Sequence, residues 1–309
     1  LLVIASTPLA LLILPTLRPM TVLMAFLYTL VMAVLFATLA VRLVPSTEHR
    51  FALICALTAL GIAADAFLGG PLIRYSPLGY DVMLGARFYG IGNEYMGILV
   101  GASLLAVPAF KERWPKVGPI VLLWFLLVIF TLGSPALGAN AGGTITALIA
   151  FSLAYGMGKR RSRWAAVGLL LTLLVALLVL NLFPTSGVGS HVTRALRVAL
   201  QGDWAEIKTI AQRKMAMNWR LMRYSIWSKG LLVALGIMGV LVYRPTPGVK
   251  GIIEEHPSLR RIVFPTIVGS LAALIFNDSG VVAGGTTSIY AAGLVLSLIL
   301  EQRGRNGVR

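Results

Sequence analysis

Charge is what this chain lacks. Only 12% of its 309 residues are Asp, Glu, Lys or Arg, and just 11 of them are acidic. Soluble domains carry about 25% charged residues, so an ordinary water-soluble fold is excluded. Cysteine is almost absent too: Cys55 stands alone inside an apolar run, which rules out an intramolecular disulfide framework and suits a small buried hydrophobe. The three histidines, His49, His191 and His256, stand at no metal-ligand spacing with each other or with an acid, so no motif marks a metal site, which leaves only one built from Asp and Glu across helices. There is no G-x-S-x-G, no Walker loop and no dinucleotide fingerprint; "GIGNEYMG" (90–97) does not fit G-x-G-x-x-G and opens no βαβ unit. Ten-residue alternation is missing as well, which argues against an outer-membrane barrel.

Apolar residues fill the space, at 58% of the chain. Several runs reach the roughly 20 residues that cross a hydrocarbon core of about 30 Å as helix. Ten segments follow, at about 1–15, 20–43, 51–69, 91–110, 117–133, 139–157, 164–183, 226–243, 261–277 and 281–301. The expected fold is therefore all-α: a polytopic helical membrane protein with about ten transmembrane helices, forming a single transmembrane domain over 1–309. The chain opens at Leu1 directly in an apolar run, without the basic region of a signal peptide. The reading is a span, belonging to a piece of a longer protein with residues before Leu1.

A net charge of +16 invites a nucleic-acid reading, which the distribution argues against. The basic residues sit at the ends of apolar runs, where they anchor helices and meet anionic lipid. "GKRRSR" (158–163) is the strongest cluster and is placed in the cytoplasm. Alternation then puts "KERWPK" (111–116), the 244–261 segment and the C-terminal tail on the same side, and each is basic. The expected location is a cytoplasmic membrane.

Three polar, glycine-rich stretches reach the extracytoplasmic side: "GARFYGIGNEYMG" (85–97), "GSPALGANAGGT" (133–144) and "FNDSGVVAGGTTS" (276–288). Broken polar backbone is tolerated at membrane depth only where protein or a wet cavity surrounds it. The two copies of Ala-Gly-Gly-Thr (141–144 and 283–286) suggest two Gly-broken hairpins. Their tips serve either close helix approach or anion binding at a helix N-terminus.

Ionisable groups near the bilayer are functional candidates by default. Asp65, Asp81, Glu94 and Asp278 all map to the outer half. Glu94 and Asp278 are the candidate catalytic carboxyls, Glu94 being two helical turns from a partner in Arg87. Asp278 and Ser279 also suit the N-cap of the last helix. Arg87, Asn93, Asn140, Asn277 and Ser279 are candidate substrate contacts, and Asp65 is an intramembrane acid with a structural partner on another span. Residues 184–225, outside by alternation yet basic, form an amphipathic segment interrupted at "QGDW". Val192, Leu196 and Leu200, then Ile207, Ile210, Ala211 and Met215, mark its apolar face. It either rests on anionic headgroups or holds a phosphate-bearing lipid, with Arg220 and Arg223 in "NWRLMRYSIW" as the planar forks suited to phosphate oxygens.

Two resemblances follow from these motifs. "RFYGIGNE" (87–94), "GANAGG" and "NDSGVV" (277–282) resemble a group of largely uncharacterised bacterial membrane proteins. Some of those carry an alkaline-phosphatase-like domain, which implies a soluble domain ahead of Leu1. The ten spans with a long outer loop between the seventh and eighth are similar to the shape, elongation, division and sporulation (SEDS) glycosyltransferases. "WRLMRYSIW" likewise resembles the arginine–tryptophan signature of the O-antigen ligases and polymerases. That likeness implies a polyprenyl-phosphate-dependent glycosyltransferase or ligase, with Asp203 and Glu206 as the only stand-ins for a SEDS-type catalytic Asp. The expectation is an enzyme acting at the extracytoplasmic face on a lipid-linked, phosphate-bearing substrate. A secondary transporter or flippase is the alternative, and a non-catalytic membrane partner of a soluble domain is the third. No cofactor is specified by any motif.

Overall fold

The computed structural model describes residues 1–79, 90–113, 118–157, 204–243 and 247–307, with Pro245 and five isolated positions between 164 and 175. Every regular element among them is helical. The helices are α1 (Leu2–Ile13), α2 (Val22–Leu43), α3 (Thr47–Phe67), α4 (Pro71–Tyr75), α5 (Asn93–Arg113) and α6 (Gly118–Gly133). They continue with α7 (Ala141–Gly156), α8 (Trp204–Tyr224), α9 (Ile226–Tyr243), α10 (Pro247–Glu255), α11 (Ser258–Phe276) and α12 (Gly280–Gly307).

Among the described residues, five helices are long and apolar enough to cross a membrane: α2, α3, α9, α11 and α12. Shorter apolar helices cover Leu2–Leu17, Asn93–Val107, Gly118–Gly133 and Ala141–Gly156. The expected span at 164–183 lies outside the described residues, apart from isolated positions. The expected third span starts four residues earlier than its apolar run, because the Ser46 hydroxyl caps the helix by accepting from the His49 N–H. Glu48 is thereby drawn into its first turn.

The middle of the bundle is α5 and α12, which pack along each other and against α3 and α11, while α9 covers α12 and α7 packs on α11. Tyr95, Met96, Ile98, Leu99 and Val100 are all fully buried, so α5 presents apolar atoms to protein on every side. The crossing of α5 and α12 is close because Gly97 and Gly101 stand four apart on the contact face. A Cβ on Gly97 would overlap the Thr286 hydroxyl and lie 2.5 Å from the Ala283 carbonyl oxygen, and one on Gly101 would overlap the Thr287 carbonyl oxygen. This small-xxx-small seam lets two membrane helices meet backbone to backbone. Phe125 and Phe151 stack at 4.1 Å between α6 and α7. By contrast α2 is peripheral, with Val22, Leu23, Phe26 and Val31 exposed along its length.

The bundle has two polar ends. One carries Ser46–Glu48, the His256–Ser258 turn and Glu301: Glu48 accepts from Ser258 and faces His256 Nδ1 at 3.1 Å, while Thr47 donates to Glu301. The other end holds the turns between α3 and α4, before α5, between α6 and α7, and between α11 and α12.

Candidate functional site

The three polar stretches meet at that second end. Asn140 joins the first two: its Oδ1 accepts from the Gly143 N–H at 2.7 Å and caps α7, while its Nδ2 donates to the Ile91 carbonyl at 3.0 Å. The Ile91 N–H in turn donates to the Gly138 carbonyl at 2.9 Å. Gly90 makes this possible with φ of +92°, and a Cβ there would lie 2.6 Å from the Gly138 oxygen. Only glycine accepts both the conformation and the closeness.

The third stretch docks through Asn277, the C-cap of α11. Its Nδ2 donates to the Ala273 carbonyl at 3.0 Å and to Thr146 Oγ1 at 3.4 Å. Gly142 in the first turn of α7 lies so close that a Cβ would stand 2.5 Å from Asn277 Oδ1 and 2.6 Å from the Phe276 carbonyl oxygen. The two Ala-Gly-Gly-Thr copies therefore both open or lie near the start of a helix at this end, as close-approach sites. Gly284 meets the Ser270 carbonyl and Gly285 meets Trp227. In the first copy the Gly143 N–H is taken by the Asn140 side chain and the Thr144 N–H by the Asn140 carbonyl.

Lying over the α11–α12 turn is α8, which confirms a helix in the second half of the amphipathic segment; residues 184–203 lie outside the described residues. Two side chains attach it. Asn218 Nδ2 donates to the carbonyls of Leu274 at 3.2 Å and Asn277 at 3.4 Å, and its Oδ1 accepts from the Val281 N–H at 3.3 Å. Lys214 donates to the Phe276 carbonyl at 3.0 Å and pairs with Asp278 at 3.3 Å. One side chain thus satisfies the orphan carbonyls of one helix and an orphan N–H of the next. A cation also sits where the α11 dipole is negative. Sequence reading gave neither residue an anchoring role, although their spacing of four marks one helical face. It placed Met215 on the apolar face, and Met215 is exposed, away from the α11–α12 turn.

Glu94 lies half-buried in the first turn of α5, next to the buried Asn93. Residues 90–92 form a non-helical turn before it. The helical path from Glu94 toward its N-terminal side stops at this turn; Arg87, its expected partner, and Asp81 lie outside the described residues. The fully buried Tyr95 follows, within electrostatic reach of both Glu94 and Asp65. The Tyr95 hydroxyl is 2.6 Å from Ser76 Oγ, and Ser76 donates to the Leu11 carbonyl at 2.9 Å. With the serine proton committed to Leu11, the tyrosine is the donor of that pair.

Asp65 is 3% exposed, and among the described residues it bonds backbone rather than the side chain on another span that the sequence predicts. Its two oxygens accept from the N–H groups of Leu72 at 2.9 Å and Ile73 at 2.8 Å, holding α4 against the end of α3. Asp278 is bound by Lys214 through its side chain, while the Ser279 carbonyl accepts from the N–H groups of Val282 and Ala283.

The fold therefore gathers Asn93, Glu94, Asn140, Asn277, Asp278 and Ser279 at one end, with Asp65 beside Tyr95. Arg220 and Arg223 sit on α8, exposed and turned away from its docking face, and the Arg223 guanidinium lies 5.4 Å from the Tyr224 ring centroid. Asn140 spends both ends of its amide on backbone, and Asn277 commits its Nδ2 to the Ala273 carbonyl and to Thr146. Among the described residues no group of three or more His, Cys, Asp or Glu is placed to hold a metal. No family model, curated protein or solved structure matches this chain.

Proposed function

We propose that this is an integral membrane enzyme acting at the extracytoplasmic face on a lipid-linked, phosphate-bearing substrate, in cell-envelope glycan or lipid-carrier transfer. The observation that carries this reading is the attachment of a basic amphipathic helix, through Lys214 and Asn218, directly onto the turn that also receives Asn277 and Gly142. Arg220 and Arg223 hold the phosphates, as a polyprenyl diphosphate would require. Glu94, at the N-terminal turn of α5, acts as base toward an acceptor hydroxyl, which calls for hydrogen-bond reach to that proton. Asp278 is tied to Lys214 and takes a supporting part. Ten spans with the junction outside fit the described charges, since Lys250, Arg260, Arg261, Arg303 and Arg305 belong to the opposite end.

The test is transfer in vesicles containing the protein and a radiolabelled isoprenyl-diphosphate-linked sugar. Glu94→Gln is expected to retain lipid binding and lose transfer, whereas Arg220→Gln and Arg223→Gln lose binding. Undiminished transfer in all three variants overturns the assignment. A transporter reading is favoured by one observation, the buried Glu48 at the far end of the helix that carries Asp65. Isoprenyl phosphate flipping in the same vesicles, abolished by Glu48→Gln and unaffected by Glu94→Gln, selects it.

A further inference from the structure

The circumference of α8 divides into three arcs. Successive residues turn by about 100°, so Lys214 and Asn218 define a docking row against the α11–α12 turn. Met215 and Trp219 each follow by one residue and form a neighbouring row; both are strongly exposed, Trp219 at 74%. Beyond that row, on the side away from the bundle, come Arg213, Arg220 and Arg223, all exposed. The helix is separated from the membrane-length α9 by Ser225 alone, and Tyr224 and Ile226 at this corner are exposed as well. Its C-terminal end is thereby fixed at the point where the chain enters the apolar layer.

We infer that α8 is a lateral loading surface for anionic phospholipid-type lipids of the adjoining leaflet. Trp219 and Met215 lie against the chains, and Arg213, Arg220 and Arg223 collect the headgroup phosphates. The inference rests on the functional reading above and deepens it: the phosphate lipid arrives sideways from the bilayer with its chain left in the leaflet, not from water. Three observations support the occupant. An arginine arc borders directly on an exposed aromatic–thioether row, which is the division an interfacial helix needs. The arginines match the charge of lipid phosphate. The opposite face is already occupied by protein through Asn218 and Lys214.

The experiment uses the full chain with Cys55→Ala and single cysteines at 213, 215, 219 or 220. Each is spin-labelled and reconstituted in nanodiscs of phosphatidylcholine with or without phosphatidylglycerol. Labels at 215 and 219 should be relaxed mainly by oxygen, which partitions into the bilayer, and labels at 213 and 220 mainly by a water-soluble nickel chelate. Native mass spectrometry of the unlabelled protein should show retained phosphatidylglycerol, with Arg220→Gln and Arg223→Gln each lowering that preference about fivefold. Excess inorganic phosphate should leave the preference unchanged. Nickel-dominated relaxation at 215 and 219 overturns the inference, as does a preference that survives the double arginine variant or is erased by inorganic phosphate. If the lipid contact holds while no transfer occurs, the enzymatic reading alone falls. If transfer occurs with 215 and 219 in water, the lateral route alone falls.

Discussion

A Cβ on Gly142 would stand 2.5 Å from Oδ1 of Asn277, across the contact between α7 and the end of α11. The Phe276 carbonyl, 2.6 Å from the same point, is backbone and has nowhere to go. Gly142→Ala is therefore expected to destabilise the protein by about 2–3 kcal/mol, in the range of overpacked cores. Trimming the amide with Asn277→Ala should not rescue it, because the carbonyl clash remains. Thermal unfolding in detergent measures both, and full rescue by the double substitution would mean the two segments are not held at this distance.

Asn140 does two jobs that substitution separates. Asn140→Ala removes the α7 cap, worth about 0.5–2 kcal/mol, and leaves the buried Ile91 carbonyl without its donor, worth about 1–3 kcal/mol more. Asn140→Ser keeps a hydroxyl acceptor for the cap and loses the donor to Ile91 without adding a charge. The expected order of thermal stability is wild type, then Ser, then Ala. Equal losses for the two variants would show that the cap contributes nothing, and a Ser variant as stable as wild type would show that the bond to Ile91 contributes nothing.

Much of this junction could be read from residue order. Glycine and asparagine at the ends of three apolar runs predict broken backbone, and alternation of the runs brings those ends to one side, where Asn140 meets Ile91 and Asn277 meets Gly142. Residue order did not show what the polar side chains do there. Asp65 looked like a lone intramembrane acid because its partners are backbone N–H groups of a five-residue helix with little sequence signal. Glu48, buried with Ser258 and His256, was hidden because residues 208 and 210 positions away complete its site. The Gly97–Gly101 seam carries a readable G-x-x-x-G signal, obscured by the polar residues just before it. Arg220 and Arg223 were correctly placed on a helix, but the face that docks is set by Lys214 and Asn218, whose role depends on the free carbonyls of a distant helix end.

The attachment of α8 should depend unequally on its two contacts. Asp278 is 62% exposed, so its pair with Lys214 is screened and contributes under about 1 kcal/mol. Asn218 satisfies three backbone groups at a part-buried site, and its removal should cost about 1–3 kcal/mol. Hydrogen exchange over residues 204–224 is expected to rise strongly in Asn218→Ala and only slightly in Asp278→Asn. Equal effects would place the anchor on the ion pair.

Asp65 and Glu94 both border Tyr95, yet the geometry gives them opposite substitution profiles. Asp65 holds two backbone N–H groups at 2.9 and 2.8 Å, so Asp65→Ala leaves both donors unpaired in a buried site. A loss of about 2–4 kcal/mol is expected, since each stranded buried donor costs about 1–3 kcal/mol. Asp65→Asn keeps one acceptor oxygen and should lose roughly half as much. Any fall in lipid binding or transfer in these variants should track the folded fraction measured on the same samples, and should vanish when that fraction is restored by lower temperature. Glu94→Gln, at a half-buried position in the first turn of α5, should unfold near the wild-type temperature while losing transfer. A stable Asp65→Asn protein that binds lipid and transfers nothing would reassign Asp65 from the scaffold to the chemistry.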